Sequence, residues 1–277
     1  MRRVTWVLSF ALISGCAAEQ AAAPVPTKGP DPRPKMEQIK ADCMKQRGFK
    51  YVAYVVPDRP EPDLSTYEAM KTYRQKYGFG VFGQLVYPKD PLTGSVESAR
   101  DASADDPNEA ITRKLNNSQL SAYLEAMNAC YEKAAKEVLH KEAGSMLEAV
   151  GLLQGARDDL EEAEINGDPE LVGLVPGFAD CLATKGQRVP PAILPTAMAK
   201  RGNDAFWDQM KALGAKESKG RPLPDFTPAQ ARPYLDREIK AALEDLECGK
   251  EFYTRFAPKR ASIDARVWAE YGPLVGR

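Results

Sequence analysis

The sequence predicts a mainly α-helical protein made of two tandem, disulfide-linked helical units, with room for a small sheet or hairpin in the first. Three observations carry this expectation. Ala41-Asp42-Cys43-Met44-Lys45-Gln46-Arg47-Gly48 aligns with Ala179-Asp180-Cys181-Leu182-Ala183-Thr184-Lys185-Gly186, with four of eight positions identical and the same cysteine-to-glycine interval. Each copy is followed far downstream by a second cysteine in a strongly helical stretch, Cys130 within residues 123–136 and Cys248 within residues 235–252. Asp106-Pro107 and Thr227-Pro228 each offer an N-cap side chain followed by proline in the first helical position. Repetition of this kind reads as duplication of a supersecondary unit.

Duplication also chooses a disulfide pairing. Four cysteines in an exported chain allow three connectivities. If each unit closes on its own core, the bridges are Cys43–Cys130 and Cys181–Cys248, each tying a first helix to a last one. Closing loops of this length stabilises by about 4 kcal/mol through loss of unfolded-state entropy.

The chain divides, in order, into residues 1–15, 16–35, 36–141, 142–168 and 169–277. Arg2 and Arg3 precede an apolar run over residues 4–13 that is too short to span a bilayer but suits the h-region of an export signal. Residues 16–35 carry Pro24, Pro26, Pro30, Pro32 and Pro34 and few large apolar side chains, so they read as an extended tether reaching about 60 Å. In the first unit, residues 41–48 have the pattern of a helix end, with a basic residue and then glycine past the last turn. Residues 49–56 are β-branched and aromatic, a strand candidate stopped by Pro57, Pro60 and Pro62. Residues 65–76 return to helical spacing, and residues 88–106 are polar and turn-rich, the pattern of a loop. The connecting segment 142–168 is helical, with Met146, Val150, Leu153, Arg157 and Leu160 expected on one face. Gly151 and Gly155 would there permit close helix approach. In the second unit, Pro190-Pro191 excludes a strand at the place matching residues 49–56.

Ile13-Ser14-Gly15-Cys16 resembles the lipobox of bacterial lipoproteins, an aliphatic residue and two small ones before the cysteine that becomes the acylated N-terminus. That resemblance implies cleavage before Cys16, lipid on its sulfur, and an exported protein held on the outer face of the cell membrane. Acyl chains would then replace a transmembrane helix as the anchor. The cysteine–glycine unit, with Tyr51-Val52 and Tyr77-Gly78-Phe79-Gly80, is also similar to uncharacterised lipoproteins of actinobacteria, which carry no activity to transfer.

Composition excludes more than it selects. Net charge is −1, or −3 once Arg2 and Arg3 leave with the first fifteen residues, so nothing favours nucleic acid. None of the cysteines lies in a CxxC or CxxCH pattern, which argues against thiol exchange, c-type haem and structural zinc. Gly78-Phe79-Gly80-Val81-Phe82-Gly83 matches GxGxxG, but a helical segment precedes it and Pro88 follows too soon for a long helix, so no nucleotide is expected. That segment either presents Tyr77, Phe79 and Phe82 to a ligand or forms a tight strand turn with its aromatics on the core. His140, the single histidine, reads as a surface residue. Asp158, Asp159, Glu161, Glu162 and Glu164 read as a solvated helix face rather than a calcium loop or an acid/base pair. Trp207 and Trp268 read as packing residues.

The resulting expectation is a cell-envelope lipoprotein that acts as a membrane-tethered binding or accessory module, without catalytic residues, metal or cofactor. Its partners are the membrane, through Cys16, and an envelope protein or cell-wall component. The alternatives are an envelope hydrolase using two carboxylates from separate segments, and the substrate-binding lipoprotein of an importer, which would need alternating βα units not found here.

Overall fold

A computed structural model describes residues 30–187, 189–190, 192–217 and 223–277. The expected export segment, the expected lipobox with Cys16, and most of the expected tether lie outside the described residues. Eleven helices and no strand are found among those described. They are α1 Arg33–Gln46, α2 Tyr67–Tyr77, α3 Gly83–Val86, α4 Val96–Ser103, α5 Pro107–Thr112 and α6 Asn117–Leu139, then α7 Met146–Glu161, α8 Pro169–Thr184, α9 Pro195–Glu217, α10 Pro228–Cys248 and α11 Lys250–Tyr271. None of the described helices is long and apolar enough to cross a membrane.

Capping explains most of the boundaries. Thr227 and Gln230 form a reciprocal capping box at α10, as Asn116 and Gln119 do at α6. Asp106 caps α5 ahead of Pro107, and Asp168 caps α8 ahead of Pro169. The two cysteine–glycine repeats end their helices identically. Gly48 (φ 83°) and Gly186 (φ 76°) sit past the ends of α1 and α8. Their amides donate to Lys45 O and Ala183 O, while Phe49 N and Gln187 N donate to Met44 O and Leu182 O. That is a complete Schellman closure in both copies. Cys43 joins Cys130 and Cys181 joins Cys248, each with Cα atoms 5.5 Å apart.

Several expected features differ. No strand or hairpin forms over residues 49–56, which carry no regular secondary structure. Its edge is satisfied by a side chain instead: Asn108 Oδ1 accepts from Val52 N and Asn108 Nδ2 donates to Val52 O, both at 2.9 Å. An amide side chain thus supplies what a partner strand would. Residues 33–35, expected within the tether, are helical instead, because α1 begins at Arg33 and its first turn accommodates Pro34, whose missing N–H needs no intrahelical partner there. Residues 88–106 contain a 3-10 turn, Pro91–Thr93, and the helix α4, whose first turn Ser95 caps through Ser98 N. On α7 the buried face is Ala149 and Leu153, with Met146 and Val150 exposed. Gly151 and Gly155 face open space rather than a neighbouring helix. The stretch 235–252 is two helices broken at Gly249, where the Phe178 ring leaves no room for a Cβ.

The cores do not follow the boundaries expected at residues 141 and 169. The main cluster gathers Met70 from α2, Leu153 from α7, Leu171, Val175, Phe178 and Leu182 from α8, Met198 from α9, Leu246 from α10, and Phe252, Phe256, Ile263 and Val267 from α11. Val81 and Phe82, just beyond α2, pack with Met210 and Leu235 of α9 and α10. So α2 and α3 dock on the second half of the chain, whereas α1 and α6 pair around Cys43, Met44, Tyr123 and Cys130. Each fully buried Leu or Phe contributes about 2 kcal/mol. The larger cluster therefore anchors α2 firmly to α10 and α11.

Candidate functional site

A cleft of about 490 Å³ opens where α2, α9 and α11 meet, roofed on one side by residues 61–65. That volume falls in the range of small-molecule sites. Met70, Phe79, Tyr253, Phe256, Ala257 and Trp268 supply its apolar lining.

Its floor is a buried ionic network. Arg74 lies on the apolar face of α2, one turn beyond Met70. Its Nη1 donates to Ala242 O at 3.0 Å and to Asp245 Oδ1 at 2.7 Å. Its guanidinium lies between two rings, 5.0 Å from the Phe79 centroid and 4.7 Å from that of Tyr253. Asp245 also accepts from Tyr253 Oη at 2.6 Å and, on Oδ2, from Arg201 Nη2 at 3.0 Å. Burial and the adjacent Asp245 carboxylate push the Tyr253 hydroxyl upward from its ordinary value, so it stays a hydrogen-bond donor.

The wall repeats this pattern. Glu161, buried at the end of α7, takes Arg260 on Oε1 and Lys200 on Oε2, the latter at 3.0 Å. Asp264 accepts from Arg157 on Oδ1 and from Arg260 on Oδ2, each at 3.0 Å. At the lip Glu61 pairs with Arg277, and Asp63 folds onto Ser65. Both oxygens of Asp245 and of Asp264 accept hydrogen bonds, while in Glu161 Oε2 accepts from Lys200 and Oε1 is ion-paired with Arg260 without a hydrogen bond. A general acid or a nucleophilic carboxylate needs a free oxygen facing the substrate, which none of the three offers.

The glycine–aromatic segment forms the cleft's inner edge. Gly78 (φ 63°) and Gly80 (φ 93°) turn successive amides toward a single acceptor, the fully buried Glu238 carboxylate. Val81 N and Phe82 N donate to its Oε1 and Oε2, both at 2.8 Å, and the amides of Phe79 and Gly80 also turn toward it. Added Cβ atoms at Gly78 and Gly80 would lie 2.6 Å from Glu238 Cγ and 2.7 Å from Tyr73 Oη. A nest of amides that elsewhere holds a phosphate is here filled by the chain's own carboxylate. Burial pushes Glu238 up to about 7 against the opposing pull of the amides.

Of the sequence-derived ligand candidates, only Phe79 reaches the cleft, its ring seated on Gly202 of α9 and its carbonyl held by Asn203 Nδ2 at 3.0 Å. Tyr77 is buried with its hydroxyl on Asp90 Oδ2, and Phe82 stacks on Tyr234 in the core. His140 is exposed at the left-handed end of α6. Trp207 packs against the Val81–Phe82 cluster, and Trp268 lines the cleft between the guanidinium groups of Arg157 and Arg277. In the acidic run, Glu161 and Glu164 pair with Arg260 and Arg266, while Asp158, Asp159 and Glu162 are exposed. No cluster able to hold a metal occurs among the described residues.

Sequence reasoning missed Arg74, Glu238 and Asp245. The signal was available: each is a charged residue on an otherwise apolar helical stripe, Arg74 after Met70 on α2, and Glu238 and Asp245 with Leu235 and Ala242 on α10. Charges on a buried stripe require partners, and the partners mark the site.

Comparison of the chain with protein-family models, with curated proteins and with solved structures returns no match.

Proposed function

We propose that this protein is a cell-envelope lipoprotein, anchored through Cys16 on the outer face of the membrane, that works as a binding module with the α2–α9–α11 cleft as its ligand site. The observation that carries the binding role is the state of the acids in and behind the cleft: Asp245, Glu161 and Asp264 are engaged on both oxygens by cations or a hydroxyl, and at the lip Glu61 pairs with Arg277 and Asp63 accepts from Ser65. A roomy apolar cavity with fixed charges favours recognition over proton transfer, and disfavours the hydrolase alternative. Export is supported by the two disulfides, which persist in oxidising compartments. The lipobox resemblance at residues 13–16 supplies the anchor. The experiment is a Cys16→Ser substitution in cells fed an alkyne-bearing palmitate. Wild type should be labelled and sediment with membranes, and the variant should lose the label. Equal labelling of the two would end the anchored reading.

A further inference from the structure

Arg74 is more heavily buried than a charged side chain with spare donors should be. It is 6% exposed, lines the cleft, and makes both its hydrogen bonds through Nη1. Nε and Nη2 have no acceptor among the described residues. Across Asp245, Arg201 Nε is likewise buried without a partner. A sealed donor without a partner, as at Arg201 Nε, is costly, whereas the Arg74 Nε–Nη2 edge is not sealed and stays open to an acceptor in the cleft.

The surrounding charges are largely paired. In the floor and wall, Arg74, Arg201, Lys200, Arg157 and Arg260 face only Asp245, Glu161 and Asp264. The lip adds Glu61 and Asp63 to the lining, so the charges around the cleft are close to balanced and selection rests on which groups keep a free donor. Lys200, Arg157 and Arg260 are each taken up by a carboxylate. Arg74 is therefore the cation with an open edge toward the cavity. The Nε–Nη2 edge of a guanidinium matches the two oxygens of a carboxylate, and the flanking Phe79 and Tyr253 rings fix its plane. Beyond that edge the lining is apolar, through Met70, Phe256, Ala257 and Trp268. Beside Arg74 a cationic ligand would meet only Asp245, whose two oxygens are already taken, the remaining lining acids Glu61 and Asp63 lying at the lip, and a purely apolar ligand would leave the Arg74 donors unmet.

We propose that the cleft binds a carboxylate-bearing amphiphile, its acid group seated on Arg74 between Phe79 and Tyr253 and its apolar part lying along Met70, Phe256 and Trp268. This deepens the reading of the cleft as a ligand site and is independent of how the chain is anchored.

The test is calorimetric titration of the full-length protein, purified from whichever cell fraction holds it, with octanoate, octanol and octylammonium. Because the fraction does not matter, a failure here leaves the Cys16 reading untouched, and the reverse also holds. Octanoate should bind at a single saturable site at least tenfold more tightly than octanol or octylammonium. Arg74→Lys, which keeps the charge and loses the fork, should weaken octanoate about tenfold. Ala261→Trp, which fills the cleft from α11 away from the ionic floor, should abolish binding while leaving the fold intact by circular dichroism. If Arg74→Lys does not fold, the ranking of the three probes in wild type and the Ala261→Trp result decide. Equal affinity for octanoate and octylammonium, no saturable octanoate binding, or undiminished binding in Ala261→Trp would each overturn the proposal.

Discussion

The two cysteine–glycine helix ends behave alike locally and differently in context. Both α1 and α8 stop at a glycine with positive φ, close with the same pair of backbone bonds, and hold a disulfide with the same Cα separation. Yet α8 runs through the main core, burying Leu171, Val175, Phe178 and Leu182, while α1 meets α6 in smaller clusters around Cys43, Met44 and Met36. Eight residues of sequence are enough to dictate a cap and a bridge. Where that bridge sits in the protein depends on apolar residues elsewhere in the helix.

The bridges offer the largest test of this contrast. Removing either one as a paired Cys→Ala change should cost about 4.5 kcal/mol, since loops closed over separations of 87 and 67 residues differ little in entropy. Hydrogen exchange should nevertheless distinguish them. Without Cys43–Cys130, protection should fall selectively in α1 and α6. Without Cys181–Cys248, the α8 core residues should keep slow exchange relative to the lowered global stability. Loss of protection spread evenly over the chain in both variants would remove the distinction between a satellite and a central bridge.

Glu238 gives the next largest effect. Its carboxyl is raised from 4.5 to about 7 in the folded protein. A group raised in this way favours the fold fully below about pH 4.5 and loses that contribution as pH climbs through about 7, roughly 3 kcal/mol in all. Tyr73, itself pushed up to about 12 by burial and by Glu238, faces the same carboxyl. Glu238→Gln should destabilise at pH 4.5 and progressively less by pH 7.5, read as converging denaturation free energies. Parallel curves for the two proteins would mean that Glu238 does not titrate in that window.

The smallest effect is the most direct check of local equivalence. Gly48→Ala and Gly186→Ala should each cost about 1 kcal/mol, because nothing lies within 4 Å of the added methyl and only the left-handed backbone opposes it. Costs differing by more than about 1 kcal/mol would show that the two caps are not the same structure.

The legible part of the fold was the part written in short-range chemistry. Proline and N-cap pairs at residues 106–107 and 227–228 marked helix starts, and the cysteine–glycine intervals marked helix ends. What could not be read depended on distant partners. Residues 49–56 have strand composition, but Asn108 pairs with Val52 from an unrelated helix, and residues 78–83 have a phosphate-loop pattern whose anion is Glu238 on α10. Phe79 was legible as a ligand candidate from its glycine-flanked position. Arg74 was not, because its meaning comes from Asp245 and Tyr253 across the core.

The account rests most heavily on a chain that is exported, acylated at Cys16 and closed by two bridges within its halves. Mass spectrometry of non-reduced peptides from the protein isolated out of its native cells addresses all three points at once. It should find an N-terminal peptide that begins at a lipid-bearing Cys16, together with linked peptides joining Cys43 to Cys130 and Cys181 to Cys248. A peptide beginning at Met1 with all five cysteines as free thiols would contradict it.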